Sequence, residues 1–309
     1  MNKQRMSGVT LMSKQPNKLT RSALYIREHA VIFCCPICSS SMEVRELKSL
    51  SCSNQHTFDF SKQGYLNLMT HHTQTNYDKE LFDARREVIV DSGFFDLFTR
   101  EITKQIKERV GSKPELTMVD MGAGEGSHLE MISRSLQENH DQPIRGIGID
   151  ISKEGMLAAA KHYENHMWLV ADLAHPPLQD GICDVILNIL SPSNYEEFNR
   201  LLTKDGLIIK VVPRSDYLKE LRQYFYQESE KEEYSNIKIV ELFKDRFTLV
   251  DQSTVTYSKK LGPSALKSLV KMTPLTWGVD DKMVHDFLQT EPPQITIDFD
   301  VLIGKKQSI

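Results

Sequence analysis

The sequence predicts an α/β fold: a doubly wound parallel sheet with a small cysteine-bearing module on its N-terminal side. Three observations carry this. From residue 115 onward, short apolar runs alternate with amphipathic stretches of helical length, the pattern of a sheet layered between helices. The first run ends in Asp120 and is followed by Gly122, Gly124 and Gly126, the kind of turn such sheets place before a ligand-binding helix. Upstream, Cys35-Pro-Ile-Cys38 and Cys52-Ser-Asn-Gln-His56 lie in a stretch too short to bury a core of its own.

Residues 1–30 come first. They set Lys3, Arg5, Lys14, Lys18, Arg21 and Arg27 against the single acid Glu28, which reads as a basic, disordered arm. Residues 31–70 form the Cys/His module. A CxxC turn aims two thiolates at one point and the later CxxxH adds a sulfur and a nitrogen, so Cys35, Cys38, Cys52 and His56 suit tetrahedral, structural Zn2+ with no open position. Cys34 lacks the two-residue spacing to Cys38, and Cys183 opens an apolar strand as a small core residue. A total of five cysteines and a cytosolic reading disfavour disulfides. Phe33, Phe58 and Phe60 can pack over the metal.

Residues 71–113 read as a helical connector. Phe98, Ile102, Ile106 and Val110 recur every fourth residue, and Asp91-Ser-Gly93 separates two helices. The domain 114–309 then opens with a strand at Leu116–Asp120, a helix from about Ser127 to Gln137 and a second strand at Ile144–Asp150. Ser152 caps a helix through Lys161. Strands follow at Trp168–Ala171, Val185–Leu190 and Gly206–Val212, with a helix at Tyr195–Leu202 between the last two. Phe247–Tyr257 and Gln294–Ile303 alternate as two late edge strands, one antiparallel, around a helix near Ser264–Met272.

At 309 residues, with 40% apolar and 26% charged side chains, the composition is that of an ordinary enzyme. No apolar run approaches the roughly 20 residues that cross a bilayer, and the N-terminus lacks a secretory segment. The expected location is cytoplasmic, with no membrane partner. A net charge of −4 excludes a protein that coats nucleic acid non-specifically. Any RNA contact would fall to local patches such as Arg85-Arg86, Lys259-Lys260 and Lys305-Lys306.

The glycine spacing departs from the dinucleotide fingerprint, whose third glycine stands three residues after the second. An acid at Asp120 would repel a pyrophosphate but suits a cationic sulfonium, so S-adenosylmethionine (SAM) fits better than NAD. Asp150 would hold the ribose and Asp172 the adenine amine. Asn188-Ile-Leu-Ser-Pro192 ends the fourth strand of the domain, where a substrate meets the methyl group. Asn188 and Ser191 are the candidates nearest the chemistry, although neither is a base.

Both patterns together resemble one family. Phe33-x-Cys35-Pro-x-Cys38, Cys52-x-x-x-His56-x-Phe58-Asp59, Gly64-Tyr65-x-Asn67-Leu68, Ala84-Arg85-Arg86, Asp91-x-Gly93 and Met272-Thr-Pro-Leu-Thr-Trp277 look like the RlmA/TlrB type of 23S ribosomal RNA guanine-N1 methyltransferase. The resemblance runs from about residue 31 to the C-terminus. It implies a Rossmann-like SAM-dependent domain, a zinc-ribbon-like module that aids RNA recognition, and a guanine in a 23S rRNA hairpin loop as substrate. It implies cofactor contacts from Phe95, from the turn Gly122 to His128 with Ser127, from Asp150 and Asp172, and from Tyr217. A homodimer rests on the resemblance alone. The chain departs from relatives at Phe95, where tyrosine is common, and at Gly122-Ala-Gly124, where Gly-Cys-Gly is. A small-molecule methyltransferase or a non-catalytic zinc adaptor are the competing readings.

Overall fold

The computed structural model describes residues 16–307 apart from 72, 74, 76, 112, 141, 228–233 and 291–293. The first fifteen residues of the expected basic arm lie outside the described residues. The rest of that arm corrects the sequence reading, because α1 (Lys18–Glu28) is an ordered helix capped by Asn17. Its order is tertiary in origin. Ala23 and Ile26 are fully buried, Lys18 and Arg21 both pair with Glu164, and Ser22 donates to the Gly64 carbonyl at 2.5 Å.

The zinc module is a three-stranded antiparallel sheet of β1 (Met42–Arg45), β2 (Ser49–Cys52) and β3 (Thr57–Asp59). It does not end in a free linker. β4 (Leu66–Asn67) leaves the module and pairs in parallel with β7 of the main sheet (His166–Val170). A second seam ties the module's start to the loop after β7, where Cys34 N–H donates to Pro177 and Gln179 N–H to Ile32. Phe33, Cys35, Cys52 and Phe60 share one apolar cluster with Leu169 and Leu178, and Phe58 packs at its margin. The module and the large domain therefore share a core.

α2 (Lys79–Arg86) runs into a π-helical turn at Glu87–Asp91 before α3 (Asp96–Arg109). The expected break at 91–93 falls there, where Gly93 takes φ +60°. Then β5 (Leu116–Met121), α4 (Ser127–His140), β6 (Ile144–Asp150), α5 (Lys153–His162) and β7 follow as read from the sequence, with Ser152 capping α5. β8 (Cys183–Ile189), α6 (Tyr195–Leu201) and β9 (Leu202–Pro213) continue the alternation. α7 (Lys219–Phe225), α8 (Ile237–Arg246), β10 (Thr248–Lys260), α9 (Pro263–Met272), α10 (Asp281–Gln289) and β11 (Gln294–Lys305) complete the chain.

The main sheet has the order β10-β11-β9-β8-β5-β6-β7-β4. β4 through β9 are parallel along it, and β11 is antiparallel to both β9 and β10. Every residue of β5 and β8 is buried, as expected when helices cover both faces of a parallel strand. The chain leaves β5 toward β6 and β7 on one side and returns to β8 and β9 on the other. The crevice at that reversal, beyond the carboxyl ends of β5 and β8, is where such sheets hold ligands. Among the described residues no helix is long and apolar enough to cross a membrane.

Candidate active site and zinc centre

The zinc centre is built by two tight knuckles. In the first, Ser39 N–H donates to the Cys35 carbonyl at 2.8 Å and Cys35 N–H to Ser40 at 2.9 Å. In the second, Gln55 N–H donates to Cys52 at 3.0 Å and Cys52 N–H to His56 at 3.1 Å. Ser39 and Gln55 take left-handed φ values of 58° and 66° to close them. The four candidate ligand atoms converge within 4.8 Å of one another. Cys38 Sγ stands 3.7 Å from Cys52 Sγ, and His56 Nδ1 lies 3.5 Å from the sulfurs of both Cys35 and Cys52. Sulfurs around tetrahedral zinc with bonds of about 2.3 Å stand about 3.8 Å apart, so the cluster has the size of the ion. Ser40 and the Asn54 amide, 3.3 Å from Cys38 Sγ, hold the Cys38 thiol down to about 5, favouring the thiolate a metal takes. Cys34 is outside this group, as its spacing indicates, and Cys183 is fully buried in β8.

The second site forms where the loops after β5, β7 and β8 meet. Gly122, Gly124 and Gly126 have φ of +94°, +58° and +82°, a region that L side chains enter only with strain. A Cβ on Gly122 would stand 1.9 Å from Ser191 Oγ and 3.8 Å from Leu173, and one on Gly126 would stand 2.4 Å from the Trp168 ring. The turn is tied down by Asp150, whose carboxylate accepts from Gly124 N–H and from Ser152 N–H, both at 2.8 Å. Asp172 accepts from Ala174 N–H at 2.8 Å, which shapes the loop after β7.

Three polar atoms near the turn have no partner among the described residues: Asp120 Oδ1, Glu125 Oε1 and His128 Nδ1. Burial, reinforced by the charges of Asp150 and Glu125, pushes the Asp120 carboxyl up to about 8. Burial and Arg85 bring His128 down to about 4, so its imidazole is neutral. The grouping of Asp120, Glu125 and Asp150 around Arg85 favours a cationic ligand, and an orphaned buried carboxylate marks where a cation belongs. SAM, with its sulfonium and ammonium, fits this donor set. A carboxyl raised from 3.8 to about 8 on folding makes the native state bind more protons than the unfolded one, so its destabilising effect grows as pH rises through that window. Asp120→Asn should be more stable than wild type at pH 8, on the order of 1–3 kcal/mol, and indistinguishable at pH 4. Urea unfolding at both pH values measures this, and a constant difference would refute it.

The other candidate site residues lie around this turn with the following partners. Phe95 caps the start of α3 and is 1% exposed, with its ring edge-on to His128 at 5.3 Å and stacked on Phe299 at 6.2 Å. Tyr217 reaches the same aromatic cluster through Phe299, at 4.7 Å. Ser127 is fully buried and bonds the Tyr163 hydroxyl at 3.0 Å. Asn188 is fully buried. Its amide donates to Met121 and Pro192 carbonyls at 2.9 and 3.0 Å, and its Oδ1 accepts from Ser193 and Lys210 at 2.8 and 2.6 Å. These bonds use its hydrogen-bonding capacity and make it a brace between β5 and the β8 loop. The proposed basic patches also change. Arg85 turns inward to Glu125 at 2.6 Å, Arg86 pairs with Asp91, and Lys259 is spent on the Ser92 and Gly93 carbonyls. Arg85 and Lys210 were missed as site residues by sequence reasoning, whereas Glu125 lies within the turn Gly122 to His128 that the resemblance singles out. The signal for Lys210 was a cation inside the apolar run from 206 to 212.

A parallel sheet with this reversal and an acid-lined glycine turn defines a Rossmann-like SAM-dependent methyltransferase, and the four-ligand cluster adds a structural zinc ribbon. Comparison with known proteins agrees. Residues 33–74 match the zinc-ribbon family described as RlmA, N-terminal, and residues 119–209 match the methyltransferase domain family. The Bacillus subtilis (strain 168) protein YxjB, whose name assigns it provisionally as a 23S rRNA (guanine-N(1)-)-methyltransferase, is 43% identical over 276 residues, 89% of this chain and 97% of its own. The 23S rRNA (guanine(748)-N(1))-methyltransferase of Streptomyces fradiae is 30% identical over 247 residues, covering 80% of this chain and 86% of its own. The chain belongs to the 23S rRNA (guanine-N1)-methyltransferase family.

Proposed function

We propose that this protein transfers a methyl group from SAM to N1 of a guanine in a hairpin loop of 23S rRNA, with the zinc module contributing to RNA recognition. The observation that carries the proposal is the rigid union of the two sites. β4, as the chain leaves the zinc module, forms the edge strand of the sheet whose centre presents the glycine turn, so RNA held by the module is held in register with the cofactor site. An enzyme of this substrate class works in the cytoplasm.

In this reading Asp150 has a double task. Two of its lone pairs hold the turn, and a carboxylate has about four, so the others remain for ribose hydroxyls. Asp172 takes the adenine amine. Asp120 faces the methionyl cation, and Gly122 to His128 wrap it. Phe95 and Tyr217 support this wall from the aromatic cluster. SAM supplies, when bound, a methyl carbon on a positively charged sulfur. Passage of that methyl to guanine N1 would leave the thioether S-adenosylhomocysteine and release the N1 proton to water. The protein's share is chiefly alignment and exclusion of water, which can account for large rate factors without covalent catalysis. Asn188 and Ser191 act as frame, not as base. A loop base, unstacked at little cost, can be splayed into such a pocket.

Incubation of labelled SAM with the protein and a protein-free 23S rRNA hairpin, followed by primer extension, tests the proposal. N1-methylguanine blocks Watson–Crick pairing, so extension should halt next to one guanine. Label that reaches small metabolites but leaves the RNA unmarked would overturn it, as would no transfer at all.

A further inference from the structure

Lys210 is a lysine with no reason to exist in a fold-only account. It stands on β9 in register with Asn188, is 5% exposed, and has no carboxylate partner among the described residues. Its ammonium donates to Asn188 Oδ1 and to the Ser191 carbonyl, both at 2.6 Å. Asn188 lies near the carboxyl end of β8 and Ser191 in the loop that follows, over the glycine turn. Leu190, between them, is held at φ +53°, and Ser191 is pressed over Gly122 so closely that no Cβ fits there. A buried cation with only neutral acceptors is costly, and a methionine of similar length would fill the strand more cheaply. Burial alone lowers this amine to about 8, in keeping with the lack of a counter-charge.

The two oxygens that Lys210 occupies are a pair of acceptors at the end of a central strand, beside the methyl-transfer pocket. An exocyclic amine, with two N–H donors to orient, needs such a pair. A ring nitrogen with one N–H does not. We propose that Lys210 is a positioning and specificity residue: by taking both oxygens it denies them to the guanine N2 amine and fixes Ser191 over the glycine turn, leaving N1 as the nucleophile. The inference rests on the guanine-N1 reading and deepens it.

Lys210→Met removes the donors at similar length, and Lys210→Gln restores an amide with two N–H groups. Each is compared with wild type for SAM affinity by calorimetry, for kcat and KM on the 23S rRNA hairpin, and for methylated nucleosides by mass spectrometry. For Lys210→Met we expect SAM affinity unchanged within about 2-fold, kcat lower by about 100-fold, the scale of misplacement near 1 Å, and N2-methylguanosine appearing beside the N1 product. Lys210→Gln should recover most of kcat and give the N1 product alone. A Lys210→Met enzyme that makes only N1-methylguanosine overturns the inference, as does a joint loss of SAM affinity and kcat, which marks a general structural role. Wild type that makes no N1-methylguanosine would instead sink the functional reading itself, so the two failures are distinct.

Discussion

Asp150→Ala is expected to weaken SAM binding by about 100-fold, roughly 3 kcal/mol, while the protein still folds. The magnitude comes from what the carboxylate does at once. It accepts from the backbone N–H of Gly124 and of Ser152, and hydrogen bonds to a charged group contribute about 1.5–3 kcal/mol each. Its loss frees the turn at Gly124, where φ is +58°, and removes the acceptor proposed for the ribose. The fold survives because the turn keeps other anchors. Gly122 and Ala123 N–H both donate to Ile149, at 2.9 and 3.0 Å, and Gly126 N–H to Ala123 at 2.9 Å. Titration calorimetry with wild type and variant decides the matter. Equal affinities would remove Asp150 from the cofactor site.

Cys35→Ser is expected to abolish zinc binding and unfold residues 31–70. Cys35 is fully buried and its sulfur lies 3.5 Å from His56 Nδ1, so the shorter, harder hydroxyl cannot complete the cluster. The module owes much of its stability to the metal, because its strands are only three or four residues long. Structural zinc contributes on the order of 10 kcal/mol in small domains, more than the few apolar contacts around Phe33 and Phe60 can replace. The damage should spread, since β4 and the seam at Pro177 join the module to the sheet. Metal analysis after gel filtration, combined with limited proteolysis, measures both effects. Full zinc content and unchanged protection would refute the ligand assignment, and Cys34→Ser serves as the control that should keep its metal.

The two sites were legible in the sequence to different depths, and the difference is one of range. The zinc ligands declare themselves because two knuckles a few residues long bring the sulfurs together. The glycine turn does so because left-handed backbone requires glycine at fixed offsets, and Asp150 ends the next apolar run. What the sequence hid depends on distant partners. α1 looks like a polar arm until Glu164 and the carbonyls of Ala160 and Lys161 receive Lys18. β4 spans only Leu66–Asn67, too short for any periodicity to show. Arg85 reads as a surface charge on an amphipathic helix, and only the fold turns it toward Glu125, 40 positions along the chain. Asn188 sits at the right place in the order of motifs, but which way its amide faces is set by Met121 and Lys210. Phe95, likewise, is assigned by the cluster it joins rather than by its neighbours in the chain.

Titration of SAM into the purified wild-type protein tests the central claim most directly. The account predicts saturable uptake at one site per chain, weakened about 100-fold in Asp150→Ala and preserved in Cys34→Ser. Absence of any binding heat across the accessible concentration range, from folded protein, would contradict it.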